Sequence, residues 1–253
     1  MKALVQAEVL KLRSTRTPAW LLLATLGLVV LAIAVNVPKA GATNAPVSLD
    51  DPGLLAGIVG DSLAVPEVLV VLLGVLAVTQ EFRYGTATST YLGEPRRTRV
   101  LVTKGLSLAL SSVLITAATL AVSVTVGIAV IRFRDGDVTA RAQFWQMVAA
   151  GFVVMAAYGV IGVAVGALVR NQIAAAVGVL VWMLAVERIV LSAFPAVGRW
   201  MPGGATYGLL QLGPTMNADG KLLSTSVGGL VLVGYTVAAV ALALVVTPRR
   251  DVL

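Results

Sequence analysis

The chain has 253 residues, 58% of them hydrophobic and only 12% charged, with a mean hydropathy of +0.94. A soluble domain carries about a quarter of its residues charged, so this composition excludes an ordinary water-soluble fold, and its apolarity excludes intrinsic disorder. Cysteine and histidine are both absent, which excludes disulfides, thiolate sites and the commonest zinc ligand and general base, while a net charge of +7 in so apolar a chain points to a membrane surface rather than nucleic acid.

Residues 1–16 open the chain as an amphipathic helix before the membrane: Leu4, Val5, Val9 and Leu12 fall at helical spacing, with Lys2, Gln6 and Arg13 on another face. Such a helix lies in the headgroup plane. A first span follows at about 19–37, with Pro18 at its start, where a missing N–H costs nothing, and Trp20 at interface depth. Basic residues, an apolar run and Ala32-Ile33-Ala34 also resemble a cleavable signal peptide. The run is longer than a signal core, so it reads as a span. Lys39–Asp51 is an external loop. The second span, about 63–79, carries Glu67, and Pro66 kinks or starts it.

Residues 80–104 form the most informative segment. Gly85 stops the second span, Thr86–Leu92 makes two short helical turns closed by Gly93, and Glu94-Pro95 opens a helix that runs into the third span at about 105–131. Both glycines are expected in left-handed cap conformations. A turn at Asp135-Gly136-Asp137 leads to the fourth span (144–169), and Arg170-Asn171-Gln172 leads tightly to the fifth (173–194), which carries Glu187 and Arg188. The segment 195–226 is external and apolar, but Pro202-Gly203-Gly204 and Gly213-Pro214 forbid one continuous helix. Two short helices entering the outer leaflet between Trp200 and Ala218 fit it better than a seventh span. The sixth span covers about 227–247. The chain thus reads as a single all-α transmembrane domain of six helices, each near the roughly 20 residues that a bilayer requires.

With six spans both termini share one side. If that side is the cytoplasm, it holds 12 basic and four acidic residues, a balance of +8 against −1 outside. Lysine and arginine bias sets orientation, so both termini are expected inside.

No phosphate-binding loop of the Gly-x-x-x-x-Gly-Lys-Ser/Thr type occurs, and without histidine no metalloprotease or Ser-His site is available. An enzyme is not expected, nor a bound metal or cofactor. What remains is a channel, a carrier or the membrane half of a machine powered elsewhere.

The basic lead Ala7-Glu8-Val9-Leu10-Lys11-Leu12-Arg13-Ser14-Thr15-Arg16, the Glu81-Phe82-Arg83-Tyr84-Gly85-Thr86 segment after span 2, Pro95-Arg96-Arg97 with Lys104, and Trp200-Met201-Pro202-Gly203-Gly204-Ala205 resemble the type-2 ABC exporter permease family. The likeness extends over the whole chain. It implies a bacterial plasma-membrane permease that pairs with a second, identical or homologous subunit, each docking one copy of a separate ATPase that holds ATP and Mg. The short helix at about Thr86–Leu92 would be the coupling helix, with the N-terminal helix beside it and substrate passing between subunits along spans 1, 2 and 5.

On that resemblance the ATPase-coupling residues are Glu81, Phe82, Arg83, Tyr84, Gly85, Thr86, Tyr91, Leu92, Gly93, Pro95, Arg96 and Arg97. Glu81 and Arg83 form a polar clamp on the coupling helix or a solvated helix end, and Tyr91 and Leu92 are apolar anchors into the ATPase. Arg96, Arg97, Arg99 and Lys104 also serve as positive-inside determinants. Glu67, Glu187 and Arg188 either line the exit of a translocation path or, for the Glu187/Arg188 pair, snorkel to the headgroups, which their depth favours. Gly162-x-x-x-Gly166 is a dimer face or, more in keeping with so many small residues, an internal packing seam. The cargo expected is hydrophobic or amphipathic. An ion-coupled secondary carrier is the alternative, although it calls for charged residues at mid-membrane and broken helices. A non-transporting scaffold or immunity protein is the other.

Overall fold

The computed structural model describes residues 2–14, 16–36, 51, 53–138, 142–212 and 222–249, the side chains of 2–3, 12–14 and 16–17 excepted. The expected external loop before Asp51, the Gly213–Ala218 part of the outer segment and the side chains of Leu12, Arg13 and Arg16 lie outside the described residues. All regular structure among those described is helical.

Helix α1 covers Lys2–Ser14 and α2 Arg16–Asn36. The second span is broken: α3 (Leu54–Ser62) meets α4 (Ala64–Arg83) at Leu63, so Pro66 falls in the first turn of α4, where no N–H is needed. The seven-residue α5 (Ala87–Gly93) precedes α6 (Arg97–Phe133). At 37 residues α6 is about 55 Å long, far more than a bilayer core of about 30 Å, so it projects beyond the apolar layer. Helix α7 is Ala142–Val169. The fifth span runs from α8 (Gln172–Val181) through a π-helical turn (Trp182–Val186) into α9 (Glu187–Ala193). Two short helices, α10 (Pro195–Gly198) and α11 (Pro202–Leu209), precede the last span, α12 (Thr225–Val246). Six helical stretches are long and apolar enough to cross a membrane. The chain is a multi-pass membrane protein.

Spans 2 and 4 form the centre, with 67% and 56% of their most apolar windows buried, against 17%, 11% and 11% for spans 1, 5 and 6. Glycine sets the closest approach. A Cβ on Gly74 would meet the Gly159 carbonyl at 2.6 Å, and one on Gly166 the Val75 carbonyl at 2.8 Å; Gly162 faces the Val71 carbonyl in the same seam. The Gly162/Gly166 pair therefore packs span 4 on span 2 within one chain, the second of the two readings above. Span 3 closes on span 4, and spans 1 and 6 pack outside this core. Along α6 the buried Ser107, Ser112, Thr116 and Ser123 each return their hydroxyl to the carbonyl four residues earlier, and Ser123 also shares a hydrogen bond with the Ser62 hydroxyl of α3 (2.6 Å).

Candidate functional site

Among the described residues two polar sites interrupt the apolar bundle, one where α1 meets spans 2 and 3 and one deeper, where spans 2, 4 and 5 meet α11. The first lies where α1, the end of α4 and the start of α6 converge. Lys104, 3% exposed, is in the interior rather than at the surface where a bare topology determinant would sit. Its ammonium donates to Glu8 Oε2 (2.8 Å), Glu81 Oε1 (2.8 Å) and the Ala77 carbonyl (3.0 Å), which uses its three hydrogens. Lys11 donates to the other Glu8 oxygen (2.8 Å) and to Glu81 Oε1 (2.8 Å). Two carboxylates and two ammonium groups thus alternate, and the burial that would make either sign costly alone is offset by the other.

Burial pushes the Glu8 carboxyl up, but Lys104 and then Lys11 outweigh it and hold Glu8 below the usual carboxylate range. Burial likewise pulls the Lys11 ammonium down, and hydrogen bonds to Glu8 and Glu81 reverse this, leaving it raised. Glu8 escapes a hydropathy reading because it shares the Leu4 and Lys11 face of α1. The spacing four before it and three after it was visible; its buried partner 96 residues away was not.

The same end carries the segment between spans 2 and 3. Tyr84 N–H bonds the Gln80 carbonyl (2.9 Å), and Gly85 follows with φ = +70°, the left-handed cap expected of it. The Thr86 carbonyl accepts from the Thr90 N–H (3.1 Å) and the Ser89 hydroxyl (2.8 Å), and the buried Ala87 anchors α5 against the bundle. Gly93 does not take a left-handed cap: it is the last helical residue of α5, and Gly85 is the only glycine with positive φ among the described residues. The chain turns instead at Glu94-Pro95-Arg96, where Glu94 accepts from Arg96 N–H (3.3 Å) and Arg99 (3.0 Å).

Glu81 and Arg83 do not clamp α5. Glu81 joins the ion cluster on α1 and α6, and Arg83 reaches Gln172 at the start of span 5 (3.1 Å). Phe82 lies under the Arg170 guanidinium (5.0 Å), and Tyr91 is half-buried under that of Arg97 (5.5 Å). Leu92, at 79% exposed, and Tyr84 are the large apolar groups turned outward here. Thr86, Pro95 and Arg96 are also exposed.

The second site lies deeper, about midway along span 2. Glu67, in the first turn of α4, is buried and hydrogen-bonded to the Tyr158 hydroxyl of span 4, which accepts in turn from Thr206 of α11 (3.3 Å). Glu187 is 7% exposed and therefore does not snorkel. Its Oε1 accepts from Trp182 Nε1 (2.7 Å), and the Gly203 N–H donates to the same carboxyl. In an α-helix residues five apart lie about 140° around the axis; the π-helical turn at 182–186 brings Trp182 and Glu187 onto one face. Gly203 leaves room for this contact, because a Cβ there would push the Glu187 carboxyl out of its present place. Arg188, one position on, is exposed. Of the expected path residues, Glu67 and Glu187 share one polar neighbourhood, and Arg188 is on the outer face. Tyr158, Trp182 and Thr206 were missed. A lone tyrosine in an otherwise nonpolar span and a tryptophan five before a glutamate were the available signals.

No protein-family model matches the chain, and no curated protein matches it in sequence.

Proposed function

We propose that the chain is the membrane-spanning permease subunit of an ATP-driven exporter of the type-2 ABC kind, in a bacterial plasma membrane with both termini cytoplasmic. The observation that carries this reading is α5: a short helix set between spans 2 and 3, entered through a left-handed glycine and displaying Leu92 outward. A partner that grips such a helix can move both spans at once. The ion cluster adds to it, because Glu8, Glu81 and Lys104 tie α1 and spans 2 and 3 into one body. A separate ATPase, two copies per complex, would supply ATP and Mg and dock on α5; a second permease subunit would complete the path, with α10 and α11 dipping into the outer leaflet.

Replacing Tyr91 and Leu92 together by Ser tests this. An ATPase that co-purifies with the unchanged chain should be lost, and export with it, at normal membrane abundance. Unaltered association and export in the double variant would remove the coupling role of α5. The ion-coupled carrier draws on the buried Glu67–Tyr158–Thr206 chain and on the breaks in spans 2 and 5 beside it. It requires transport by the purified chain without ATPase, driven by an ion gradient.

A further inference from the structure

Beside Glu187 a cavity of about 360 Å³ opens between spans 2, 4 and 5, within the range of small-molecule sites. Its walls are apolar, built from Val71, Ile161, Val165 and Val179, and they close on Trp182 and the Glu187 carboxyl. Both groups that bond this carboxyl are donors, the Trp182 indole N–H and the Gly203 backbone N–H, and each favours its charged form against the burial that opposes it. Among the described residues no lysine or arginine forms an ion pair with it. Glu67 adds a second carboxyl to the neighbourhood; its bonding partner is the neutral Tyr158, and the one positive charge acting on it is that of the exposed Arg188, which forms no ion pair with it among the described residues. Among the described residues the other buried acid, Glu8, lies in the four-member ion cluster where α1 meets spans 2 and 3. A buried carboxylate is ordinarily balanced by a cation.

We propose that this cavity binds a hydrophobic organic cation, a lipophilic amine or quaternary ammonium or phosphonium ion, with the apolar walls covering its body and Glu187 supplying the counter-charge. Trp182 lines the same cavity, and an indole ring is a second attraction for positive charge. The π-helical turn has a function here, since it places the indole and the carboxylate side by side in the cavity wall. That the cation is exported cargo rests on the permease reading above; that it binds does not.

The test measures binding of tetraphenylphosphonium and of its anionic counterpart of the same shape, tetraphenylborate, to the purified full chain in lipid nanodiscs, without any ATPase. The phosphonium should bind saturably and the borate should not. Glu187→Gln should weaken phosphonium binding at least tenfold. Gly178 lines the cavity and has nothing within 4 Å of a would-be Cβ, so Gly178→Leu should fill the space and weaken binding similarly with Glu187 intact. Arg188→Gln, on the outer face, should stay within twofold of the unchanged chain. Equal binding of the two ions, or phosphonium binding undiminished in Glu187→Gln, overturns the proposal. Should Glu187→Gln fail to fold, undiminished binding in Gly178→Leu overturns it instead. Because no ATPase is present, a positive result survives even if the Tyr91/Leu92 experiment removes the exporter reading, and a negative one leaves that reading standing.

Discussion

The two polar sites of the bundle treat buried carboxyl groups in opposite ways. Where α1 meets spans 2 and 3, Glu8 and Glu81 each touch ammonium groups at 2.8 Å. In the deeper site Glu67 and Glu187 are buried against a phenol, an indole and a backbone N–H. The first arrangement is closed: every charge has its opposite, and the result is a joint between an otherwise separate helix and the core. The second is open. Its carboxyls are held in place by neutral groups and keep their capacity to meet something positive. A joint and a binding site can therefore be told apart in one membrane protein by what satisfies their acids, although both consist of glutamates in an apolar bundle.

The strongest way to break this contrast is Lys104→Met. Methionine fills the volume but leaves two carboxylates, Glu8 and Glu81, sharing the single half-exposed ammonium of Lys11, and removing one member of a buried pair costs up to about 3–5 kcal/mol. The purified variant should melt well below the unchanged protein. Because the chain has no cysteine, a thiol introduced by Leu4→Cys reports on α1 alone and should react faster once the joint opens. An unchanged melt with unchanged labelling would show that α1 is held by apolar contact.

Acidity should act on the same joint. Glu8 titrates below the usual carboxylate range, so its contribution is complete above that range and is lost as pH falls through the depressed value. Lys11 titrates above the usual lysine value, so its contribution is complete below that value and is lost as pH rises through the raised one. Helix α1 should stay docked across the whole interval between, with release only at the extremes, read by an environment-sensitive fluorophore at position 4. Release at or above the ordinary carboxylate range would contradict the pairing of Glu8 with Lys104 and Lys11.

A smaller effect separates the two glycines that flank α5. Gly85 has φ = +70°, which costs a side-chain-bearing residue about 1–2 kcal/mol, so Gly85→Val should destabilise the turn and misdirect α5. Gly93 is helical with open space around it, and Gly93→Ala should be neutral or stabilise α5 by up to about 1 kcal/mol. Equal damage from both substitutions would mean that α5 ends differently from what is described here.

These glycines mark the limit of what the sequence discloses. Span number, the helix between spans 2 and 3 and the break near Pro66 are written in hydropathy runs and in turn residues, which are local signals. Gly85 and Gly93 look alike at that level, and the difference lies in whether Glu94-Pro95-Arg96 supplies the turn. Lys104 was legible as a positive charge at a membrane boundary, but its burial depends on Glu8 and Glu81, 96 and 23 residues away. Glu187 was legible as a charge near a helix end, where an α-helical count puts it at the interface. The π-helical turn that draws it inward depends on α11 and Gly203 packing beside it, which no local pattern announces.

The smallest expected change sharpens the comparison most. Glu67→Gln keeps the side-chain volume and one acceptor oxygen, so the Tyr158 hydroxyl still has its partner and still accepts from Thr206. No buried cation is stranded, because Glu67 forms no ion pair among the described residues and the Arg188 whose charge reaches it is exposed. The exchange should alter stability by less than about 1 kcal/mol, the net worth of one neutral hydrogen bond. Glu67→Leu differs in kind: it removes the acceptor, leaves the Tyr158 hydroxyl buried without one, and should cost about 1–3 kcal/mol. The expected order of melting temperatures is thus Gln close to the unchanged chain, Leu lower, and Lys104→Met lowest. A Glu67→Gln variant as damaged as Lys104→Met would mean that a positive charge is already committed to Glu67, and the distinction between a closed joint and an open site would fall.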